Sequence, residues 1–95
     1  MKTITVQVTA EDIAWGKATC NNTCMVALAL NRATGLRWIV CTYKCSYDGC
    51  EKSFLFPPEV EIKIRHQIYY VCGNRDTPVT PFEFELTYDD SFVRT

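Results

Sequence analysis

The side chains best equipped for chemistry are six cysteines, an unusual number in 95 residues. They fall as Cys20-x3-Cys24, Cys41-x3-Cys45-x4-Cys50 and a distant Cys72. Thiolates are soft ligands, and a tetrahedral zinc ion is commonly held by two short-spaced pairs of them. The expected quartet is Cys20, Cys24, Cys45 and Cys50. Cys24 belongs to it because a helix start favours thiolate over thiol. Cys45 and Cys50 belong because a predicted hairpin sets them diagonally across two strands. Two other outcomes stay open: reduced thiols buried as small hydrophobes, and one or more disulfides. Cys41 and Cys72 are expected in the core in every case.

Catalytic chemistry finds less support. His66 is the single histidine, flanked by Arg65 and Gln67. A Cys–His nucleophile pair would have to be assembled around it by the fold. The chain contains no phosphate-cradling G-x-x-x-x-G-K-[ST], no G-x-G-x-x-G, no H-E-x-x-H and no G-x-S-x-G. Asp89 and Asp90 form a carboxylate pair with no histidine nearby in sequence. The expectation is a protein that is not an enzyme.

Charge is small overall and unevenly placed. Net charge is −1, which gives no general attraction to nucleic acid or to an anionic membrane. Residues 1–47 carry five basic and two acidic side chains, and residues 48–95 carry five basic and nine acidic. Glu83, Glu85, Asp89 and Asp90 gather near the C-terminus and are the candidate face for a basic partner. The competing class is single-stranded nucleic-acid binding, through Lys17, Arg32, Arg37 and Lys44 interleaved with Trp15, Trp38, Tyr43 and Tyr47. A small zinc-stabilised structural domain is the third reading.

These side chains must be positioned by short elements. An apolar fraction of 47% suits a single globular domain spanning residues 1–95. In Lys2–Thr9, Ile4, Val6 and Val8 alternate with polar residues, as in a half-buried strand. That start resembles neither a signal peptide nor a membrane span, so a cytoplasmic protein is expected. Thr9 caps a short helix that Gly16 ends in a left-handed conformation. A second helix starts near Asn22 or Thr23, runs to Ala33 and stops at Gly35, with Met25, Leu28 and Ala29 on its apolar stripe. Asp48-Gly49 is the preferred two-residue hairpin loop. It places Tyr47 opposite Cys50, Cys45 opposite Lys52, Tyr43 opposite Phe54 and Cys41 opposite Phe56. Ile39, Cys41, Tyr43, Cys45, Tyr47, Cys50, Phe54 and Phe56 then share the core face.

Pro58 opens a third helix on which Val60, Ile64, Ile68 and Val71 follow helical spacing up to Gly73. Val60, Ile62 and Ile64 also alternate as in a strand, but length and caps favour the helix. Phe82, Phe84, Leu86 and Tyr88 mark a final strand. The predicted class is α+β, in the order β-α-α-β-β-α-β, with about four strands and the helices on one face.

Val8-Thr9-Ala10-Glu11-Asp12-Ile13 with Gly16, Ala27-Leu28-Ala29-Leu30-Asn31-Arg32-Ala33 and Pro81-Phe82-Glu83-Phe84-Glu85-Leu86 together resemble small uncharacterised proteins of bacteria and their phages. The likeness covers most of the chain and carries no assigned activity. In those proteins the first cysteine pair is C-x2-C followed by proline, where this chain has C-x3-C followed by Met25. The resemblance implies a phage- or prophage-encoded modulator that acts by binding a host protein.

Overall fold

A computed structural model describes residues 1–17, 22–71 and 79–91. The class is α+β, with five strands and three helices among the described residues: β1 (Lys2–Val8), α1 (Ala10–Trp15), α2 (Met25–Thr34), β2 (Trp38–Val40), β3 (Lys44–Tyr47), β4 (Phe54–Leu55), α3 (Pro58–Val71) and β5 (Phe82–Tyr88). The strands form two sheets rather than one of about four, β1-β5 and β2-β3-β4.

The first and last strands pair antiparallel along their whole length, from Lys2 opposite Tyr88 to Val8 opposite Phe82. Val6, Val8, Phe84, Leu86 and Tyr88 are buried on the inner face. Thr3, Thr5 and Gln7 lie outside, opposite Thr87, Glu85 and Glu83. This is the alternation that the sequence predicts for both strands.

Helix α1 has the predicted cap and a second, reciprocal bond. Asp12 N–H donates to Thr9 Oγ1, and Thr9 N–H donates to Asp12 Oδ2, which satisfies two orphan donors at once. Gly16 ends the helix differently from expectation, at φ −67 and ψ 140. Its role is close approach: a Cβ here would stand 2.5 Å from Met25 N and 2.7 Å from the Asp12 carbonyl oxygen. Gly35 does take the left-handed conformation, at φ 74, and its N–H closes α2 on the Asn31 carbonyl. Met25, Val26, Ala27, Ala29 and Leu30 are buried, and α2 lies against β1, α1 and β2. Helix α3 forms over the segment with two possible periods. Val60 and Ile64 are buried and Ile62 is exposed, the pattern of period 3.6 rather than 2. Cys72 and Gly73 lie outside the described residues.

The predicted hairpin is where the structure departs most. The stretch from Arg37 to Tyr47 is two strands, because the chain reverses at Thr42-Tyr43. Val40 pairs with Cys45, and Cys41 N–H donates to the Lys44 carbonyl at 2.8 Å. Asp48-Gly49 is a turn, with Gly49 at φ 89 and a Cys50 N–H bond to the Tyr47 carbonyl. It opens a longer connection, however, and the ladder resumes only at Cys45 opposite Phe54 and Lys44 opposite Leu55. The register is therefore offset by two residues from the predicted one. An even offset preserves faces, so Cys45, Tyr47 and Phe54 are buried together as expected. The early reversal flips the face of the preceding strand. Trp38 and Val40 point inward, while Ile39 and Tyr43 are exposed.

Trp38 becomes the centre of an aromatic cluster, with Tyr47 at 5.2 Å and Tyr88 at 5.3 Å between ring centroids, both edge-to-face. Phe54 joins at 6.4 Å from Trp38. Edge-to-face contacts of this kind add to the stabilisation from burial alone. Two polar atoms of the cluster are satisfied within the fold: Trp38 Nε1–H donates to Thr34 Oγ1 at 2.8 Å, and Tyr47 O–H donates to the Asp89 carbonyl.

Candidate functional site

Cys24 stands at the helix start that the zinc reading relied on, but Cys45 and Cys50 do not lie on the expected diagonal. Cys24 is buried as the N-cap of α2, and its Sγ accepts the Ala27 N–H at 3.4 Å. Cys45 is buried on β3 against the aromatic cluster. Burial, followed by the neighbouring Cys41, pushes its thiol up to about 12, so it is neutral at pH 7. The ladder sets Cys45 opposite Phe54 rather than on a diagonal with Cys50. Cys50, half-buried in the connection after Gly49, exchanges bonds with the backbone of Lys52 through its Sγ. Cys41 is only half-buried, at the shoulder of the Thr42-Tyr43 turn, not in the core. Cys20 lies outside the described residues. Among the described residues, no three His, Cys, Asp or Glu side chains come together as a metal would require.

His66 is half-buried on α3, and no hydrogen bond joins it to a described cysteine or carboxylate. The basic-aromatic set is divided by the fold. Trp38 and Tyr47 are core residues, and Arg32 is committed to an ion pair. Trp15, 78% exposed, and Tyr43, with Lys44 Nζ at 5.6 Å from its ring centroid, are left on separate elements.

The ion pair of Arg32 is a feature that sequence reading missed. Its Nη1 and Nη2 donate to Asp12 Oδ1 and Oδ2 at 2.7 and 2.8 Å, and Nη2 also donates to the Gln7 carbonyl at 2.9 Å. One guanidinium thus ties α2 to α1 and β1. Burial alone would raise the Asp12 carboxyl, but the Arg32 bond, the Thr9 N–H and the Arg32 charge outweigh it and hold it below the ordinary carboxylate range. The one available signal was an acid at the third position of a capped helix, which has two jobs when a bidentate partner is near.

The four acidic candidates separate into two kinds. Asp89 is engaged: hydrogen bonds from Ser91, then Lys52 Nζ at 3.0 Å, keep its carboxyl well below the ordinary range. Asp90 is exposed beside it. Glu83 and Glu85 stand exposed on the outer face of β5, with no ion-pair partner among the described residues. Beside them runs an open trough of about 610 Å³, bordered by Pro57 and Glu59 at the start of α3 and by Glu83, Glu85 and Thr87. A smaller cleft of about 350 Å³ lies among Asn31, Arg37, Ile39 and Asp48. No described helix is long and apolar enough to cross a membrane. Comparison with known proteins finds no family model, no curated protein and no solved structure that matches this chain.

Proposed function

We propose that this chain is a non-enzymatic interaction protein whose acidic β1-β5 face receives a basic protein partner. The observation that carries the reading is the unpaired state, among the described residues, of Glu83 and Glu85 on a fully formed strand beside an open trough. Carboxylates left without a counter-charge on rigid backbone are pre-organised to attract and orient a cationic partner. The resemblance to small bacterial and phage proteins favours a host protein as that partner.

The rival reading, single-stranded nucleic acid, needs stacked aromatics beside basic groups. It is disfavoured by the burial of Trp38 and Tyr47 and by the Arg32–Asp12 pair. Zinc, if bound through Cys20, Cys24, Cys45 and Cys50, would stabilise the domain rather than act in the interaction, and metal analysis of untagged protein with a thiol count decides it.

The functional experiment compares retention of host proteins on the wild-type chain and on Glu83→Lys/Glu85→Lys. A partner retained by the wild type and lost with the reversal supports the proposal. A partner indifferent to the reversal, or salt-sensitive oligonucleotide binding that falls when Lys17, Arg37 or Lys44 is neutralised, overturns it.

A further inference from the structure

Resting on that reading, we infer that the partner presents an extended strand to the edge of β5 left unpaired among the described residues, with Lys or Arg at alternate positions facing Glu83 and Glu85. In an antiparallel pair, the N–H and C=O of one residue both point toward the partner strand or both point away, and the two orientations alternate. The Gln7 carbonyl is taken by Arg32 Nη2, which places Gln7 among the residues turned away from β5. Thr3, four residues earlier, has the same phase. Its Oγ1 lies 2.8 Å from Thr87 Oγ1, the close side-chain approach of a non-hydrogen-bonded pair. The opposing residues Glu83, Glu85 and Thr87 then also turn their backbone groups away from β1. Among the described residues β5 pairs with β1 alone, so these groups face an edge that no described strand occupies.

The two edges of the sheet are not equivalent. Arg32 occupies the β1 edge at Gln7, whereas the trough borders the outer face of β5. A strand added to β5 forms its narrow, hydrogen-bonded pairs directly opposite Glu83 and Glu85. The side chains at those two positions, i and i+2, lie on the outer face beside the carboxylates. Glu59 adds a third negative group to the lining of the trough. A second copy of the chain is the poorer occupant, because two antiparallel β5 edges would bring glutamates across from glutamates. Charge complementarity therefore selects a basic strand, with backbone pairing for affinity and alternate side chains for specificity.

The test uses the full chain, amide hydrogen exchange read by NMR, and three synthetic peptides. One alternates Lys or Arg with Val, the second has the same composition with its basic residues in one block, and the third is the alternating peptide N-methylated at the pairing amides. The alternating peptide is expected to bind and to slow exchange at Glu83, Glu85 and Thr87. N-methylation is expected to weaken it roughly tenfold, about the effect of one backbone hydrogen bond. Glu85→Pro is expected to fold, since proline is tolerated where the N–H faces away from the paired strand. Equal binding of the block peptide, protection confined to β1, self-association through β5 without peptide binding, or loss of the β1-β5 sheet in Glu85→Pro overturns the inference. If a captured partner still depends on Glu83 and Glu85 while the edge amides stay unprotected, the interaction reading stands and strand pairing falls.

Discussion

The two sheets are built on different principles. In β1-β5, two seven-residue strands pair at every position, and each side chain's face follows from its place in a long alternation. In β2-β3-β4, the strands have three, four and two residues, too few for alternation to set the register. There the turns decide: a reversal at Thr42-Tyr43 determines that Trp38 rather than Ile39 enters the core, and a longer connection after Gly49 moves Cys45 opposite Phe54. The lesson concerns length. A one-residue slip in β1-β5 would expose its whole apolar set, whereas the short strands have little to lose until they pack against an aromatic centre.

The largest expected effect follows from that centre. Trp38→Ala removes the ring shared by Tyr47, Phe54 and Tyr88, and should cost about 3–5 kcal/mol in denaturant unfolding. Loss of dispersed Tyr47 and Phe54 signals before those of β1 and β5 would show the short sheet to be the dependent one; simultaneous loss would show a single cooperative unit.

Arg32→Met comes next. It leaves the buried Asp12 carboxylate without its bidentate partner, and about 1–3 kcal/mol is expected, toward the lower end because Arg32 is half-exposed to solvent screening. The pH dependence has a definite sign. The folded Asp12 carboxyl lies below its ordinary value, so its contribution is complete above about pH 4 and is lost as pH falls through the folded value. Asp12→Asn should therefore narrow its stability gap from the wild type on acidification, as followed by unfolding at pH 7 and pH 3.

Gly49→Ala tests the turn. With φ at 89, an alanine there is strained, and about 1 kcal/mol is expected. Unchanged stability would mean that the connection after Tyr47 adapts freely and does not hold the register. The acidic face should be nearly silent. Glu83→Lys/Glu85→Lys should shift unfolding by less than about 0.5 kcal/mol per site, as exposed substitutions do, which makes the pair a clean probe of binding. The smallest effect is kinetic: Cys45, buried with its thiol near 12, should resist alkylation in the native protein while half-buried Cys41 and Cys50 react, as mass spectrometry would show.

Local physics was enough to place the β1 and β5 faces, the Thr9 cap, the Gly35 stop and helix α3, since each depends on periodicity or on a backbone preference contained in a few neighbouring residues. The cysteine quartet was a weaker reading because it depended on a register, and a register of short strands is a long-range property. Arg32 shows the same limit from the other side. As a sequence feature it was a basic residue among aromatics; only the packing of α2 against α1 and β1 brought it to Asp12 and Gln7, 20 and 25 residues away. The glutamates of β5 were legible as outward-facing because alternation is local. That their strand has one partner, with its outer side open among the described residues, was decided by the tertiary structure, because strand neighbours are chosen by chain topology and burial rather than by the strand's own residues.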